Sequence, residues 1–271
     1  MNLNNKIVIG FVSYDPPEEL RNRIFKLLER DYKVYLYDNS PKIKFFDSIL
    51  ESEYKNNFYY VKSHKNMGLA VAMNDIFSKA YEDKNNFLLF LDQDTVFSEE
   101  TINFADELSS SYFDEGVYSA ISMTNEKKQK DVTQNIINNH LFIRNSGSIF
   151  SLKNLMALNW FNPSYFVDGV DYEFSLRSKK LGYKIGICEK VPGFDHISEQ
   201  GYSYFYNFGL SIHGRKYNII RIKDVIISST KTITYSLMYG EFIFAFKLLK
   251  IIISFLLIQL FIRISFENKS N

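Results

Sequence analysis

Along the first third of the chain, short apolar runs alternate with stretches in which apolar residues recur every three or four positions. Residues 6–14, 34–37, 58–61 and 87–91 have the length and the β-branched or aromatic content of strands. The stretches between the first two and between the last two predict helices, so this region reads as α/β alternation. The run Phe87-Leu88-Leu89-Phe90-Leu91 has no polar alternation, which predicts an interior strand of a mostly parallel sheet, covered on both faces. Asn66-Met67-Gly68, followed by the apolar-periodic residues 69–77, predicts a glycine turn opening a helix whose free N–H groups can meet an anion. Further strands are predicted at 117–123, 141–152 and 184–188, and the polar stretch 125–139 predicts a mobile surface connection.

The pattern changes near the carboxyl end. Residues 242–264, FIFAFKLLKIIISFLLIQLFIRI, are apolar for a helix length, but the uncharged run from Ile251 to Ile262 would span only about 18 Å against a hydrocarbon core of about 30 Å. Extending the run to Phe242 brings in Lys247 and Lys250, which share an i, i+3, i+7 stripe with Ser254. A charge near the bilayer centre costs about 2.5–3.5 kcal/mol, so a helix lying in the membrane interface is expected, with a helix buried in a homodimer or in the core as the alternative.

Composition supports two parts. With 271 residues and 46% hydrophobic content the chain can bury a full core and carry an appendage, and the expected division is an acidic globular domain over 1–205 and a basic, apolar helical segment over 206–271. Net charge is +1, yet residues 203–271 hold nine Lys and Arg against three Asp and Glu, while residues 1–202 hold 23 against 28. Arg215, Lys216, Arg221, Lys223 and Lys231 would then face anionic lipid, and no nucleic-acid partner is expected. The single cysteine, Cys188, excludes an intrachain disulfide and reads as a small buried hydrophobe in a reducing compartment. The first apolar run is only about six residues, shorter than the roughly 7–15 of a secretory leader, so the amino terminus is expected in the cytoplasm.

Candidate chemistry centres on Asp92 and Asp94, which follow the apolar strand at its carboxyl end, where such sheets place ligands. If the strand persists to residue 94, both carboxylates share one face, about 7 Å apart, with Gln93 opposite. Oxygen ligands suit Mg²⁺ or Mn²⁺, and one or two carboxylates commonly hold such an ion together with substrate phosphates. Two chemistries compete: a metal that neutralises a departing nucleotide diphosphate, or Asp92 as a nucleophile toward phosphate with Asp94 as its acid/base partner. For the second, LFLDQDTV resembles the nucleophile strand of haloacid-dehalogenase-like phosphatases, with Asp168 and Asp171 as a later acidic motif. That family, however, starts near its nucleophile strand, whereas here three βα-like units precede it.

GFVSYDPP, LYDNSP, NMGLAVAMN, FLDQDT, RNSGSIFS and YFVDGVDYEFSLRSKKLGY follow in order over residues 6–201. Together they resemble family 2 glycosyltransferases with the GT-A fold, and within them the bacterial rhamnosyltransferase-like subgroup, which carries D-Q-D and V-D-x-E before an arginine. The resemblance implies an α/β, Rossmann-like mixed sheet with a C-terminal helical, partly amphipathic tail. It implies that Ser13, Tyr14, Asp38 and Asn39 line the nucleotide, Asp38 accepting from the base N–H, and that the loop of Asn66 and Gly68 closes over the donor. Asp94 takes the metal-binding position, joined by His196, while Asp92, next to Gln93, meets the ribose or a metal-bound water.

Asp171 aligns with the general base of an inverting transfer, in which the acceptor hydroxyl must lose its proton as it attacks the anomeric carbon. Many members have Glu-Asp here, whereas this chain has Val170-Asp171, as the subgroup tolerates. Asp168, Glu173 and Arg177 are supporting positions, Glu173 and Arg177 falling on one helix face, and Ser146 and Gly147 line the acceptor side. Trp160, Phe161, Tyr165 and Phe166 are candidates for stacking on sugar rings or for the core. The expected partners are a dTDP- or UDP-linked sugar, a lipid-linked glycan acceptor and the inner membrane surface, at the cytoplasmic face of a bacterial plasma membrane. A non-catalytic scaffold that binds nucleotide sugar is the remaining alternative, against which the intact Asp92, Asp94 and Asp171 argue.

Overall fold

The computed structural model of the chain describes residues 7–41, 46–113, 116–124, 136–138, 142–189, 191, 195–196, 203–207 and 209–268. It divides into two compact units, residues 1–196 and 197–271. In the first, β1 (Val8–Ser13), α1 (Glu18–Glu29), β2 (Val34–Asp38), α2 (Asp47–Leu50), β3 (Phe58–Lys62), α3 (Leu69–Glu82) and β4 (Phe87–Asp92) realise the alternation read from the sequence. They are followed by β5 (Thr95–Val96), α4 (Glu99–Glu107), β6 (Tyr118–Thr124), β7 (Ile136–Asn138), β8 (Ser148–Ser151), α5 (Leu152–Ala157), α6 (Val170–Lys180), β9 (Lys184–Glu189) and β10 (Asp195–His196).

The main sheet has eight strands in the order β3-β2-β1-β4-β8-β6-β9-β7. Its first four strands are mutually parallel, β6 and β9 are parallel, and β8 and β7 run against their neighbours. Side chains alternate across β4: Leu89 and Leu91 join the cluster that holds Leu20, Ile24, Leu27 and Leu28 of α1 and Ile102 and Ala105 of α4. On the opposite face Phe90 meets Phe77 of α3, which packs edge-on against Phe150 and Phe161 with ring centroids 5.2 and 5.3 Å away. Both faces are therefore covered, and this is why β4 carries no polar alternation. Gly10 of β1 leaves room for close packing here, since a Cβ would lie 2.8 Å from Leu88 Cδ2 and 3.1 Å from Ile76 Cδ1.

Three sequence expectations change. β4 ends at Asp92 and a turn follows, so Asp94 is not a strand residue. The strand expected over 141–152 shrinks to β8, because Gly147 sits at φ +77° and the Ser148 N–H closes a turn on Asn145 O. Ile136–Asn138, inside the polar stretch read as a mobile connection, pairs antiparallel with the free edge of β9. The rest of that stretch lies outside the described residues.

The second unit contains β11 (Ser203–Asn207), β12 (Leu210–Gly214), α7 (Ile219–Met238), α8 (Phe242–Ile264) and β13 (Phe266–Asn268), with the three strands forming a separate antiparallel sheet. α8 has the bounds expected from the sequence and is long and apolar enough to cross a membrane by length and composition alone. α7 and α8 pack against one another across the turn at Tyr239 and Gly240. The residues α7 buries are Ser228, Thr232 and Ser236, while its Ile220 and Met238 remain 73% and 70% exposed. Gln259 anchors α8 to the preceding loop by accepting from Tyr217 N–H at 3.1 Å and donating to Arg215 O at 2.9 Å.

Candidate active site

β1 and β4 are neighbours at the point where the winding of the parallel strands reverses, and the crevice outside such a point is where open α/β sheets take ligands. Ser13 ends β1 and Tyr14 follows it, Asp38 ends β2 and Asn39 follows it, and Asp92 ends β4. The loop 66–68, the segment 142–147 and the start of α6 belong to the same unit.

The turn after Asp92 is held from several sides. Gln93 accepts from Tyr14 N–H at 2.7 Å and donates to Tyr14 O at 3.1 Å, tying the ends of β1 and β4 together. Ser146 Oγ accepts from Asp92 N–H at 2.8 Å and lies 2.7 Å from Thr95 Oγ1. Gln93 and Ser146 thus have their side chains engaged in the turn itself, and Gly147 fixes the adjoining backbone, its N–H donating to Phe90 O at 2.8 Å. Burial, then the charges of Asp94 and Asp171, pushes the Asp92 carboxyl up to about 7. Asp171 sits in the first turn of α6, and burial raises it to about 6 even though backbone N–H groups and Arg144 favour its ionised form. Asp94 and Asp171 both act electrostatically on Asp92, so the three carboxylates add to the same negative potential.

Other predicted positions serve the frame. The fully buried carboxylate of Asp38 accepts from Ser13 Oγ at 3.1 Å, Ser40 N–H at 2.9 Å, Ser40 Oγ at 2.5 Å, Tyr60 OH at 3.3 Å and Lys62 Nζ at 2.6 Å. A base could claim Asp38 only by displacing one of these donors. Asn39 accepts from Met67 N–H at 2.9 Å and donates to Gly68 O at 3.2 Å, so the end of β2 holds the loop that the sequence places over the donor. Asn66 closes that loop by accepting from Gly68 N–H at 2.9 Å, and Gly68 adopts φ +84°. Arg177 pairs with Glu173 through two bonds of 2.7 and 3.0 Å and donates to Leu158 O and Trp160 O, strapping α6 to the preceding loop. Phe161 and Tyr165 are core, whereas Phe166 is exposed and its carbonyl accepts from Leu69 N–H at 2.5 Å. Asp168 lies two residues before the first residue of α6 and acts electrostatically on Tyr172.

His196 pairs its backbone with Thr95, beside the turn, but its side chain lies outside the described residues. Among the described residues no three His, Cys, Asp or Glu side chains converge on a ready-made metal site. The donor set still fits a hard divalent cation held by one or two carboxylates and completed by phosphate oxygens, and it supplies the negative charge that such an ion would offset. The sequence did not mark Arg144, which faces Asp171 electrostatically, or Arg23, whose guanidinium donates to Thr95 O and Gln93 O. Arg144 opens the RNSGSIFS stretch but was given no role there, and Arg23 is a single basic residue outside every motif.

The profile of glycosyl transferase family 2 matches residues 8–154, more than half of the chain, and the chain belongs to that family. No curated protein matches it in sequence. Among solved structures, it is similar to S. aureus TarS residues 1–349 with 11% identity, 84% of this chain and 65% of that one covered, and a TM-score of 0.52. The same S. aureus TarS fragment in complex with UDP-GlcNAc gives 13% identity, 84% and 66% coverage, and a TM-score of 0.50. A longer S. aureus TarS chain gives 15% identity, 70% and 36% coverage, and a TM-score of 0.50. The chain thus spans about two thirds or less of the length of these structures. The fold is GT-A, an α/β mixed sheet with C-terminal helices. The family match begins at β1, three βα units ahead of Asp92, where a haloacid-dehalogenase-like phosphatase has no counterpart.

Proposed function

We propose that the chain is an inverting glycosyltransferase that moves a sugar from a nucleoside diphosphate to a lipid-linked glycan precursor, the donor being dTDP-rhamnose on the subgroup resemblance. The observation that carries this reading is the placement of Asp171, a carboxylate raised to about 6 at the start of α6, in the same acidic site as the Asp92–Asp94 turn. Ionised at neutral pH yet more basic than a surface aspartate, Asp171 takes the proton of the acceptor hydroxyl as that oxygen bonds to the anomeric carbon and the bond to the diphosphate oxygen breaks. Asp94 and His196 would hold Mn²⁺ or Mg²⁺, which would neutralise charge on the departing diphosphate, with Asp92 meeting the ribose or a metal-bound water. The ends of β1 and β2 and the loop 66–68 then form the nucleotide's side of the crevice. S. aureus TarS in complex with UDP-GlcNAc, a structure of similar fold, is in keeping with a nucleotide-sugar donor.

The membrane part of the proposal rests on the second unit. Ile243, Phe246, Leu257 and Leu260 of α8 are 58–75% exposed although α8 already packs against α7. Apolar exposure on this scale marks a binding surface. Hydroxyls of α7 donate to carbonyls one turn back, Thr230 to Ile226 O at 2.8 Å, Thr232 to Ser228 O at 2.8 Å and Thr234 to Thr230 O at 2.9 Å, so they need no water. With the basic residues 215, 216, 221 and 223 at the start of the hairpin, this favours a peripheral, interface-embedded segment on anionic lipid at the cytoplasmic face of a bacterial plasma membrane.

Thermal unfolding of the purified chain with Mn²⁺ and, separately, dTDP, UDP, GDP and inorganic phosphate tests the donor. A midpoint shift with dTDP that needs metal and is absent in Asp94→Ala is expected. A response to UDP alone removes rhamnose and keeps the transferase; a response to phosphate alone removes the transferase.

A further inference from the structure

Arg23 lies on α1, away from every motif, yet it reaches the turn that carries Asp94. Its Nη1 donates to Thr95 O, its Nη2 to Gln93 O at 2.6 Å and its Nε to Glu19 O at 3.3 Å. Gln93 and Thr95 flank Asp94 in sequence, so one planar fork pins the carbonyls on both sides of the residue expected to bind metal. The fork is also the cationic support of this turn: Gln93 and Ser146 hold it through neutral groups. Among the described residues none donates a hydrogen bond to the Asp94 carboxylate or pairs with it, although Arg23 and Asp94 attract one another electrostatically. A guanidinium that salt-bridged Asp94 would compete with a cation for the same oxygens. This one has its hydrogen bonds on carbonyls, and it lowers the negative potential of the site without occupying a ligand.

We propose that Arg23 is a positioning residue for the donor site, fixing the Asp94 turn from behind through Gln93 O and Thr95 O and leaving the carboxylate open to a divalent cation and a diphosphate. The proposal rests on the nucleotide-sugar reading. Lysine keeps the charge but cannot hold both carbonyls in one plane, so Arg23→Lys separates geometry from electrostatics.

The test is Mn²⁺ binding to the full chain in the presence of UDP or dTDP, followed by the electron paramagnetic resonance signal of free Mn²⁺ at a temperature where circular dichroism reports a folded variant. Arg23→Gln should weaken Mn²⁺ about 10–100-fold, the range seen when a group supporting a metal ligand is removed, and Arg23→Lys should recover only part of the loss. Nucleotide binding without metal should not change, which separates positioning of Asp94 from a general loss of folded protein. Wild-type Mn²⁺ affinity in Arg23→Gln overturns the proposal and leaves the nucleotide-sugar reading standing. Should that variant fail to fold, wild-type affinity in Arg23→Lys overturns it equally. A wild-type chain that binds neither nucleotide with Mn²⁺ overturns both.

Discussion

Asp92 and Asp171 ionise later in the folded chain than in the unfolded one: burial raises both, reinforced at Asp92 by the charges of Asp94 and Asp171, and at Asp171 only partly offset by backbone N–H groups and Arg144. The stability linked to them is therefore full below about pH 4. It is lost as pH rises through about 6 for Asp171 and about 7 for Asp92. In the absence of metal the thermal midpoint should fall across that window. Asp92→Asn should flatten the fall and stabilise the chain at pH 8 by on the order of 1–2 kcal/mol, a few degrees by calorimetry. Asp171→Asn should reduce kcat about 10²–10⁴-fold with the nucleotide-induced midpoint shift unchanged, and transfer by the wild type should decline as pH drops below about 6. A smaller loss would move the base assignment to Asp168. At this scale Asp92 and Asp94 stood out as paired carboxylates after an apolar run, although the shared strand face expected of them ends at Asp92, and Asp171 was marked only by the family resemblance. Arg23 was not legible: in EELRNRIFKLLE it has the same sequence surroundings as Arg21, which pairs with Glu18 at 2.7 Å. Asp38 was legible as a strand-end residue, but the five donors gathered on it come from four residues on three separate segments.

Elements were legible where hydrophobic period and length agreed. β1 to β4 follow the pattern within two residues, since both faces of this part of the sheet are covered and the pattern records that burial, and α3 starts at the glycine turn as read but continues past residue 77 to Glu82. The strand at 148–151 and the edge strand at 136–138 were harder, as left-handed backbone at Gly147 and a short pair of isoleucines among polar residues leave little periodic signal. The start of α3 gives a prediction of its own. Gly68 holds φ +84°, and a Cβ there would lie 2.6 Å from Phe166 O and 2.7 Å from Phe166 Cδ2. Gly68→Ala should destabilise the chain by about 1–3 kcal/mol, read from denaturant unfolding, and should reduce nucleotide affinity because the loop 66–68 must shift.

For the whole molecule, charge asymmetry and the apolar run over 242–264 led to an expected boundary after residue 205, the compact units divide at 196/197, and α8 occupies the apolar run. The strands β11, β12 and β13 were not legible, since a sequence such as Ser203–Asn207 mixes aromatic and polar residues without a sustained alternation. The exposed face of α8 predicts behaviour of the intact chain. Flotation with vesicles containing anionic phospholipid should carry the full chain upward, and the double variant Ile243→Glu, Phe246→Glu should return it to the soluble fraction. A wild-type chain that stays soluble with vesicles but elutes as a dimer would assign those side chains to a second copy instead.

The loop 66–68 has a bearing on the order of events in turnover. Asn39 ties it to the end of β2, and the Leu69 N–H ties the adjoining start of α3 to Phe166, five residues before Asp171 in the chain. On the proposed roles of this loop and of Asp171, a ligand settling against the loop would bear on the segment that leads from Phe166 to Asp171. Acceptor affinity should therefore depend on prior occupancy by the donor, giving compulsory-order kinetics in which an acceptor analogue is uncompetitive against the nucleotide sugar.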